Sequence, residues 1–204
     1  MSLVLTDPPY GIDVVNNSGV LQGNGSSKQW APSRKYEPVI GDDTTETAKQ
    51  SYKILKKVSD KLILFGGNYF IDFLEKSDGW IIWDKRCDTG ITNDFADGEM
   101  AYCSFSTPLR IFRQLWNGMI REGEHDKRVH PTQKPVRMLS EIMDRFSEDN
   151  ASVMDVFGGS GSTMIACEQT GRKCLMMELD PHYCDVIIDR WEQFTGKKAE
   201  KVVG

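Results

Sequence analysis

Short apolar runs alternate along the chain with longer stretches whose apolar residues recur every three or four positions. The runs, such as "LVL", "LILF" and "WIIW", are typical of buried strands, whereas the longer period is typical of helices with one buried face. Strands that alternate with helices predict an α/β domain with a largely parallel sheet. The predicted strands lie near 3–7, 61–66, 79–84, 99–105, 152–157 and 173–178.

The stretches with the helical period begin after residues that favour a helix start. Residues 48–58 follow capping candidates at 43–45, and the stretches 136–146 and 183–194 each follow a proline, which suits the first turn of a helix. A further helix is expected after the glycine turn at 158–161. We interpret the apolar faces of all these predicted helices as parts of the hydrophobic core.

Two long stretches, 13–43 and 106–134, fit neither pattern. Loops of this length inside a compact domain are usually lids, binding loops or disordered. A chain of 204 residues suits one core. We therefore predict a single domain over 1–204, with a mobile loop at 13–43 and a short insert at 106–134.

Composition argues against a membrane span and for a reducing compartment. The apolar runs are far shorter than the roughly 20 residues that a bilayer requires, and the N-terminus has no secretory pattern. The five cysteines are odd in number and contain no C-x-x-C pair, which argues against a disulfide framework and a zinc site. His125, Asp126 and His130 are more simply solvated loop residues than ligands. We expect a cytoplasmic protein without a metal.

The net charge of −5 does not indicate a nucleic-acid-binding protein, because phosphate binding normally leaves a basic footprint. The net charge of one segment differs from that of the whole chain. Residues 108–137 contain seven Lys or Arg against three acids, a net charge of +4. This segment is either a solvated loop or a basic contact surface.

The stretch "LVLTDPPYGI" at 3–12 runs from a predicted strand directly into Asp7, Pro8, Pro9 and Tyr10. Two consecutive prolines lack N–H groups and fix φ, so the chain leaves the sheet in one stiff, extended geometry. Such a backbone can hold a carbonyl acceptor, a carboxylate and an aromatic face in register.

A second stretch, 152–180, combines a strand, a glycine turn, a helix and a second strand that ends in an acid. Gly158, Gly159 and Gly161 allow close approach of a ligand to the helix N-terminus, and Glu178, twenty residues after Gly158, is placed to bind ribose hydroxyls. The turn does not spell G-x-G-x-x-G, and no G-K-[ST] follows, which disfavours dinucleotides and phosphate chains. The pattern therefore predicts a site for a nucleoside-containing cofactor.

Taken together, the motifs resemble those of S-adenosylmethionine-dependent amino methyltransferases of DNA, which modify adenine N6 or cytosine N4. The family's D-P-P-Y motif corresponds to residues 7–10, its F-x-G-x-G motif to 157–161, and "HPTQKP" at 130–135 is a third match. The catalytic motif precedes the cofactor motif, as in the permuted β group. The resemblance implies a Rossmann-like class I methyltransferase fold with helices on both sheet faces, and S-adenosylmethionine as cofactor with S-adenosylhomocysteine as product.

The resemblance also implies catalytic roles. Asp7 and the carbonyl of Pro8 would accept the two hydrogens of the target amine, Pro9 would stiffen the loop, and the flipped base would stack on Tyr10. The segments 64–70 and 79–85 match family segments around the base pocket.

For the cofactor, the same resemblance implies that Asp155 meets the methionine moiety. Phe157 and the glycines of the turn would line the cofactor. Glu178 would hold the ribose, with Asp180 as the fallback. Thr132 and Lys134 would approach the methionine end from the other side.

Two departures from the family affect these expectations. Family members carry a segment upstream of the catalytic strand that helps to bind the cofactor's adenine, and almost nothing precedes Leu3. Either "AEKVV" at 199–203 supplies the missing strand, or the adenine pocket is incomplete. Because 106–129 is short for a recognition domain, base reading would have to come from it together with 13–43, and we expect a short target sequence or weak specificity.

The leading interpretation is a site-specific DNA methyltransferase, of the restriction–modification type, that acts on adenine N6. Cytosine N4 is the nearest alternative, methylation of RNA is more distant, and a catalytically silent nucleic-acid-binding subunit on the same fold is the rival from another class. The expected partner is DNA, and no membrane association is expected. The sequence leaves open whether the protein forms a homodimer.

Overall fold

The computed structural model of the protein describes residues 1–17, 37–90, 96–117, 120–124 and 128–202. Most of the predicted loop at 13–43, together with His125, Asp126 and Val203, lies outside these ranges. The strands are β1 (Leu3–Thr6), β2 (Leu62–Phe65), β3 (Trp80–Asp84), β4 (Gly98–Cys103), β5 (Arg110–Arg113), β6 (Trp116–Asn117), β7 (Ile120–Arg121), β8 (Ser152–Asp155) and β9 (Lys173–Met176). The helices are α1 (Val14–Asn17), α2 (Glu46–Val58), α3 (Val136–Phe146), α4 (Ser162–Thr170) and α5 (Pro181–Thr195).

Seven strands form one sheet in the order β5-β3-β4-β2-β1-β8-β9. The pairs of β1 with β2, β1 with β8, β8 with β9, and β3 with β5 are parallel, whereas β4 runs antiparallel to both of its neighbours. Because β1 and β8 are parallel neighbours, the segments that follow them leave the same edge of the sheet. This arrangement brings the two sequence motifs together, as is usual for ligand sites in open α/β sheets.

Helices cover both faces of the sheet, as predicted. On one face α3 and α4 pack together, and apolar residues of α3, including Leu139 and Ile142, join strand residues such as Leu5 and Val153 in one core. On the other face α2 contributes a smaller core around Tyr52. None of the helices in the described part of the chain is long and apolar enough to span a bilayer.

The prediction of a long loop at 106–134 was wrong for part of its length. Residues 110–113 form β5 at one edge of the main sheet, and β6 and β7 form a two-stranded hairpin. The strand signal is weak because "RIFR" contains only two apolar residues, of which Phe112 is buried and Ile111 is exposed. Trp116 also belongs to the core, where it packs against Trp83.

The suggestion that the C-terminal segment supplies another strand is not supported. Residues 196–202 form no strand, and the backbone N–H of Ala199 donates to Glu192 near the end of α5. The strand β9 therefore remains an edge of the sheet. Leu175, Met177 and Leu179 are exposed along this edge and its continuation.

Candidate active site

The first motif leaves the sheet at the end of β1. Residues 7–10 follow this strand directly, and Pro8 is buried, so the Pro-Pro backbone is anchored against the interior. The Tyr10 ring stacks on Tyr69 with ring centroids 5.0 Å apart and an interplanar angle of 20°. Phe70 meets the same ring edge-on, at 6.0 Å. The motif therefore presents an aromatic ring whose position is fixed by two other rings.

Gly66 also fixes the Tyr10 ring. A Cβ atom at this glycine would lie 2.8 Å from Tyr10 Cζ and closer still to two other ring atoms, and its φ is +73°. We expect Gly66→Ala to destabilise the protein by roughly 1–3 kcal/mol through overlap with the ring, in addition to about 1–2 kcal/mol of backbone strain. Gly196→Ala is the matched control, because Gly196 has a φ of +70° and no neighbouring atom within 4 Å. Unfolding both variants in denaturant measures the difference, and equal losses would contradict a close fit at Tyr10.

Buried charges surround the Asp7 carboxylate. The Tyr10 hydroxyl donates to Asp7 Oδ1 at 2.7 Å, and the Lys134 ammonium forms an ion pair with Asp7 Oδ2. Lys134 also contacts Glu99 Oε2 at 3.1 Å, and Lys85 pairs with the other oxygen of Glu99. Only 7% of the Lys134 side chain and 18% of the Asp7 side chain are exposed. Asp7, Lys134, Glu99 and Lys85 thus form an alternating row of charges, here called the charge row.

The two acids of the charge row differ in pKa. Burial raises the pKa of Asp7 above its ordinary value, and the charge of Lys134 opposes this only in part. Burial would also raise the pKa of Glu99, but the charges of Lys134 and Lys85 lower it to about 2. Glu99 is therefore the permanently ionised acid, whereas Asp7 gains a proton more readily.

The second motif forms a tight turn between β8 and α4. Gly159 and Gly161 have φ values of +50° and +76°, which favour glycine. The N–H of Gly158 donates to the carbonyl of Met177, and the N–H of Gly159 donates to Glu178 Oε2 at 2.6 Å. The other oxygen of Glu178 accepts from the next two backbone N–H groups. The glycine turn is thus fastened to the end of β9.

Asp155 lies behind the two motifs and is bonded within the protein. Its carboxylate accepts from the Thr6 hydroxyl at 2.7 Å, the Thr163 hydroxyl at 2.6 Å and the Phe157 N–H at 3.1 Å. Burial raises the pKa of Asp155 to about 6, although these hydrogen bonds oppose the shift. The side chain therefore fastens β1, β8 and the start of α4 to one another.

The segment 130–135 lies beside both motifs. The His130 ring packs edge-on against Tyr183 at 4.4 Å, and it adjoins Gly159, whose Cβ position would be 3.5 Å from His130 Nε2. His130 Nδ1 accepts the N–H of Thr132 at 3.2 Å. Burial and nearby positive charges lower the pKa of His130 to about 4, so the ring is neutral at neutral pH. The segment therefore connects the glycine turn to the charge row.

Comparison with known proteins relates this chain to DNA methylases. Residues 104–189 match the family model of the N6/N4 type described as DNA methylase. This match covers less than half of the chain, and it includes the glycine turn but not the Asp7–Tyr10 motif. The putative methylase YubD of Escherichia coli (strain K12) is 25% identical over 190 residues, which is 90% of this chain and 78% of YubD. The type II methyltransferase M.HpaI of Haemophilus parainfluenzae is 21% identical over 231 residues, covering 96% and 70% of the two chains.

Solved structures of DNA methylases share the fold. A putative DNA modification methylase from Thermus thermophilus aligns with a TM-score of 0.54 at 16% identity, covering 95% of this chain and 87% of that one. The cytosine-N4-specific PvuII DNA methyltransferase aligns with a TM-score of 0.56 at 15% identity, covering 96% and 83%. The predicted class I methyltransferase fold and the resemblance to DNA amino methyltransferases are confirmed.

The structure brings the predicted site residues to one edge of the sheet. Lys134, predicted to approach the methionine end of the cofactor, contacts Asp7, and Asp155, predicted to meet the methionine moiety, is enclosed by its three donors. Asp180 caps α5 by accepting from the N–H of His182 at 2.8 Å, so Glu178 is the better placed of the two acids. The predicted residues are Asp7, Pro8, Pro9, Tyr10, Thr132, Lys134, Asp155, Phe157, Gly158, Gly159, Gly161 and Glu178.

Sequence reasoning missed four residues of the site. Glu99 is an acid within a largely buried strand, and that contrast was an available signal. Tyr69 lies within 64–70 and Lys85 within 79–85, two segments noted only as family matches. His130 was considered as a metal ligand and as part of the family match at 130–135, but it was given no role of its own. Among the described residues, no group of three or more His, Cys, Asp or Glu side chains could hold a metal ion.

Proposed function

We propose that this chain is an S-adenosylmethionine-dependent DNA methyltransferase that transfers a methyl group to N6 of a flipped adenine. The observation that carries the proposal is the position of the Asp7–Tyr10 motif. It leaves β1 beside the glycine turn that follows the parallel neighbour β8. A carboxylate, a backbone carbonyl and an aromatic ring thereby lie next to a candidate cofactor site. Relatives named as a methylase and as a type II methyltransferase support methyl transfer, without indicating the base.

The glycine turn fits a nucleoside-containing cofactor. Left-handed backbone at Gly159 and Gly161 forms a tight turn that carries no side chain of its own at these two positions. The Glu178 carboxylate accepts three N–H bonds, and a carboxylate offers about four acceptor positions, so a ribose hydroxyl can still bind it. The neighbouring side chains of Met177 and Leu179 are exposed and offer apolar surface to a base. A structural neighbour with a TM-score of 0.52, M1.HpyAVI, was solved as a complex with this cofactor.

The residues of the first motif address the two difficulties of the reaction. A stacked base cannot reach the cofactor, and flipping it out costs a few kcal/mol, of which stacking on Tyr10 could return about 1–3 kcal/mol. An exocyclic amine is a poor nucleophile because its lone pair is delocalised into the ring. If Asp7 and the Pro8 carbonyl accept both amine hydrogens, the nitrogen becomes more tetrahedral and its lone pair is directed outward. S-adenosylmethionine supplies the electrophilic methyl group.

Catalysis of this kind is positioning and electrostatics rather than covalent chemistry. The buried Pro8 and the rings around Tyr10 hold the acceptors before the base arrives. Once the nitrogen has gained the methyl group, it has to lose a proton. Asp7 is the acid of this motif, and its raised pKa suits it to receive that proton.

Incubation with methyl-labelled S-adenosylmethionine and unmethylated genomic DNA, followed by nucleoside digestion and mass spectrometry, tests the proposal. We expect the label in N6-methyladenine. Label in N4-methylcytosine would keep the mechanism and correct the base, whereas label in neither would contradict the proposal. Calorimetry with S-adenosylmethionine then distinguishes a silent subunit, which could fail to bind, from an enzyme given the wrong substrate.

A further inference from the structure

Both oxygens of the Asp7 carboxylate are already engaged within the protein. The Tyr10 hydroxyl donates to Oδ1, and the Lys134 ammonium pairs with Oδ2. These bonds take two of the carboxylate's roughly four acceptor positions, so a target amine that donates to Asp7 competes with Lys134 and the Tyr10 hydroxyl for its negative charge. The Lys134 side chain is only 7% exposed, so its ammonium cannot simply turn to water. A buried ammonium that loses its anion is strongly disfavoured, and the displaced charge needs a second anion nearby.

Glu99 is that second anion for both displaced groups. Its Oε2 lies 3.1 Å from the Lys134 ammonium and 3.2 Å from the Tyr10 hydroxyl. Each group can therefore leave Asp7 by a small movement without losing a hydrogen-bond acceptor. We propose that Glu99 is a positioning residue that takes over Lys134 and the Tyr10 hydroxyl from Asp7 when the target amine binds. This inference rests on the proposed function and adds a residue to its mechanism.

The surroundings of Glu99 suit this role. It lies near the start of β4 opposite Trp83 of β3, on a strand that has neighbours on both sides rather than on a loop. Lys85, just beyond the end of β3, pairs with Oε1, which keeps Oε2 directed towards Lys134. Only 20% of the Glu99 side chain is exposed. With two acids and two lysines, the charge row has no net charge, and a shift of Lys134 from Asp7 to Glu99 preserves that balance.

Titration of Asp7 should report this contact directly. The titratable groups that face Asp7 are Lys134 from the segment before α3, Tyr10 from the loop after β1, Glu99 from β4 and, on the side of the glycine turn, Asp155 of β8. The negative charge of Glu99 raises the pKa of Asp7, and Glu99 also shares the lysine that would otherwise lower it. Removing the charge of Glu99 should therefore lower the pKa of Asp7 on both counts.

The test compares Glu99→Gln and Glu99→Asp with a control, Glu75→Gln, which alters a surface pair with Lys56. We expect Glu99→Gln to lower kcat at least about tenfold, with unchanged S-adenosylmethionine affinity by calorimetry, and to lower the Asp7 pKa in a carboxyl carbon NMR titration. Glu99→Asp should recover part of the rate, and Glu75→Gln should match the unaltered protein. Wild-type kcat in Glu99→Gln, or an unmoved Asp7 pKa, would overturn the proposal.

A double variant separates action through Lys134 from general damage. If Glu99 acts through this lysine, adding Glu99→Gln to the Lys134→Gln variant should slow methyl transfer little further, because the effects of coupled residues are non-additive. Rate losses that multiply would overturn the proposal. If the unaltered protein transfers no methyl group, the proposed function has failed. The Asp7 titration in Glu99→Gln still decides the contact in that case, since it needs no turnover.

Discussion

Asp7→Asn should lower methyl transfer by about 10²- to 10⁴-fold while the protein still folds and binds S-adenosylmethionine. Asparagine has nearly the same shape, but it replaces one acceptor oxygen by a donor and carries no charge. One amine hydrogen would then meet a neutral amide oxygen instead of a carboxylate, and the proton released after transfer would have no base. The Lys134 ammonium keeps Glu99 as a partner, so the charge row is not left with an unpaired cation.

Single-turnover transfer to DNA, with calorimetry for cofactor affinity, measures this effect. Asp72→Asn is the control, because Asp72 is an exposed aspartate outside both motifs. Transfer within a few-fold of the unaltered protein would remove Asp7 from the mechanism. Loss of cofactor binding together with transfer would point to a shared structural role instead.

The parts of the fold that could be predicted are those with a strong local pattern. Apolar periodicity located α2, α3 and α5 because each buries one face, and short apolar runs located the central strands. The direction of β4 could not be predicted, since a strand buried on both faces looks the same in parallel and antiparallel sheets. The strand β5 was missed because an edge strand of four residues, with arginine at both ends, has almost no hydrophobic pattern.

The candidate site shows the same division between local and long-range information. The glycine turn and the Asp-Pro-Pro-Tyr segment are continuous, so their backbone geometry follows from their own residues. The ion pair between Lys134 and Glu99 joins a loop to a distant strand, and no spacing in the sequence encodes it. Lys134 was placed with its neighbour Thr132, but side chains two positions apart point in different directions. The order of the motifs therefore predicted where the candidate site lies, whereas tertiary packing determines which side chains contact each other there.

Removal of Lys134 should have the largest effect on stability. Lys134→Met keeps most of the side-chain volume but leaves Asp7 and Glu99 without their shared cation. Breaking a buried ion pair from one side typically costs about 3–5 kcal/mol, because the remaining charge is unpaired. The pKa of Lys134 lies above its ordinary value because the two carboxylates outweigh the effect of burial, which shows how strongly the site favours the cation. We expect the free energy of unfolding to fall by this amount near neutral pH.

The loss should shrink as the pH falls. The folded-state pKa of Asp7 already lies above its ordinary value, and without Lys134 it should rise further. An acid whose pKa is raised by folding takes up a proton in the folded state, so stability is regained below that pKa and lost above it. Denaturant unfolding at about pH 8 and about pH 5.5 measures the difference. Lys56→Met, which breaks a surface pair with Glu75, is the control and should change little at either pH. A pH-independent loss in Lys134→Met would contradict the prediction, because it would mean that the unpaired charge of Asp7 does not cause the loss.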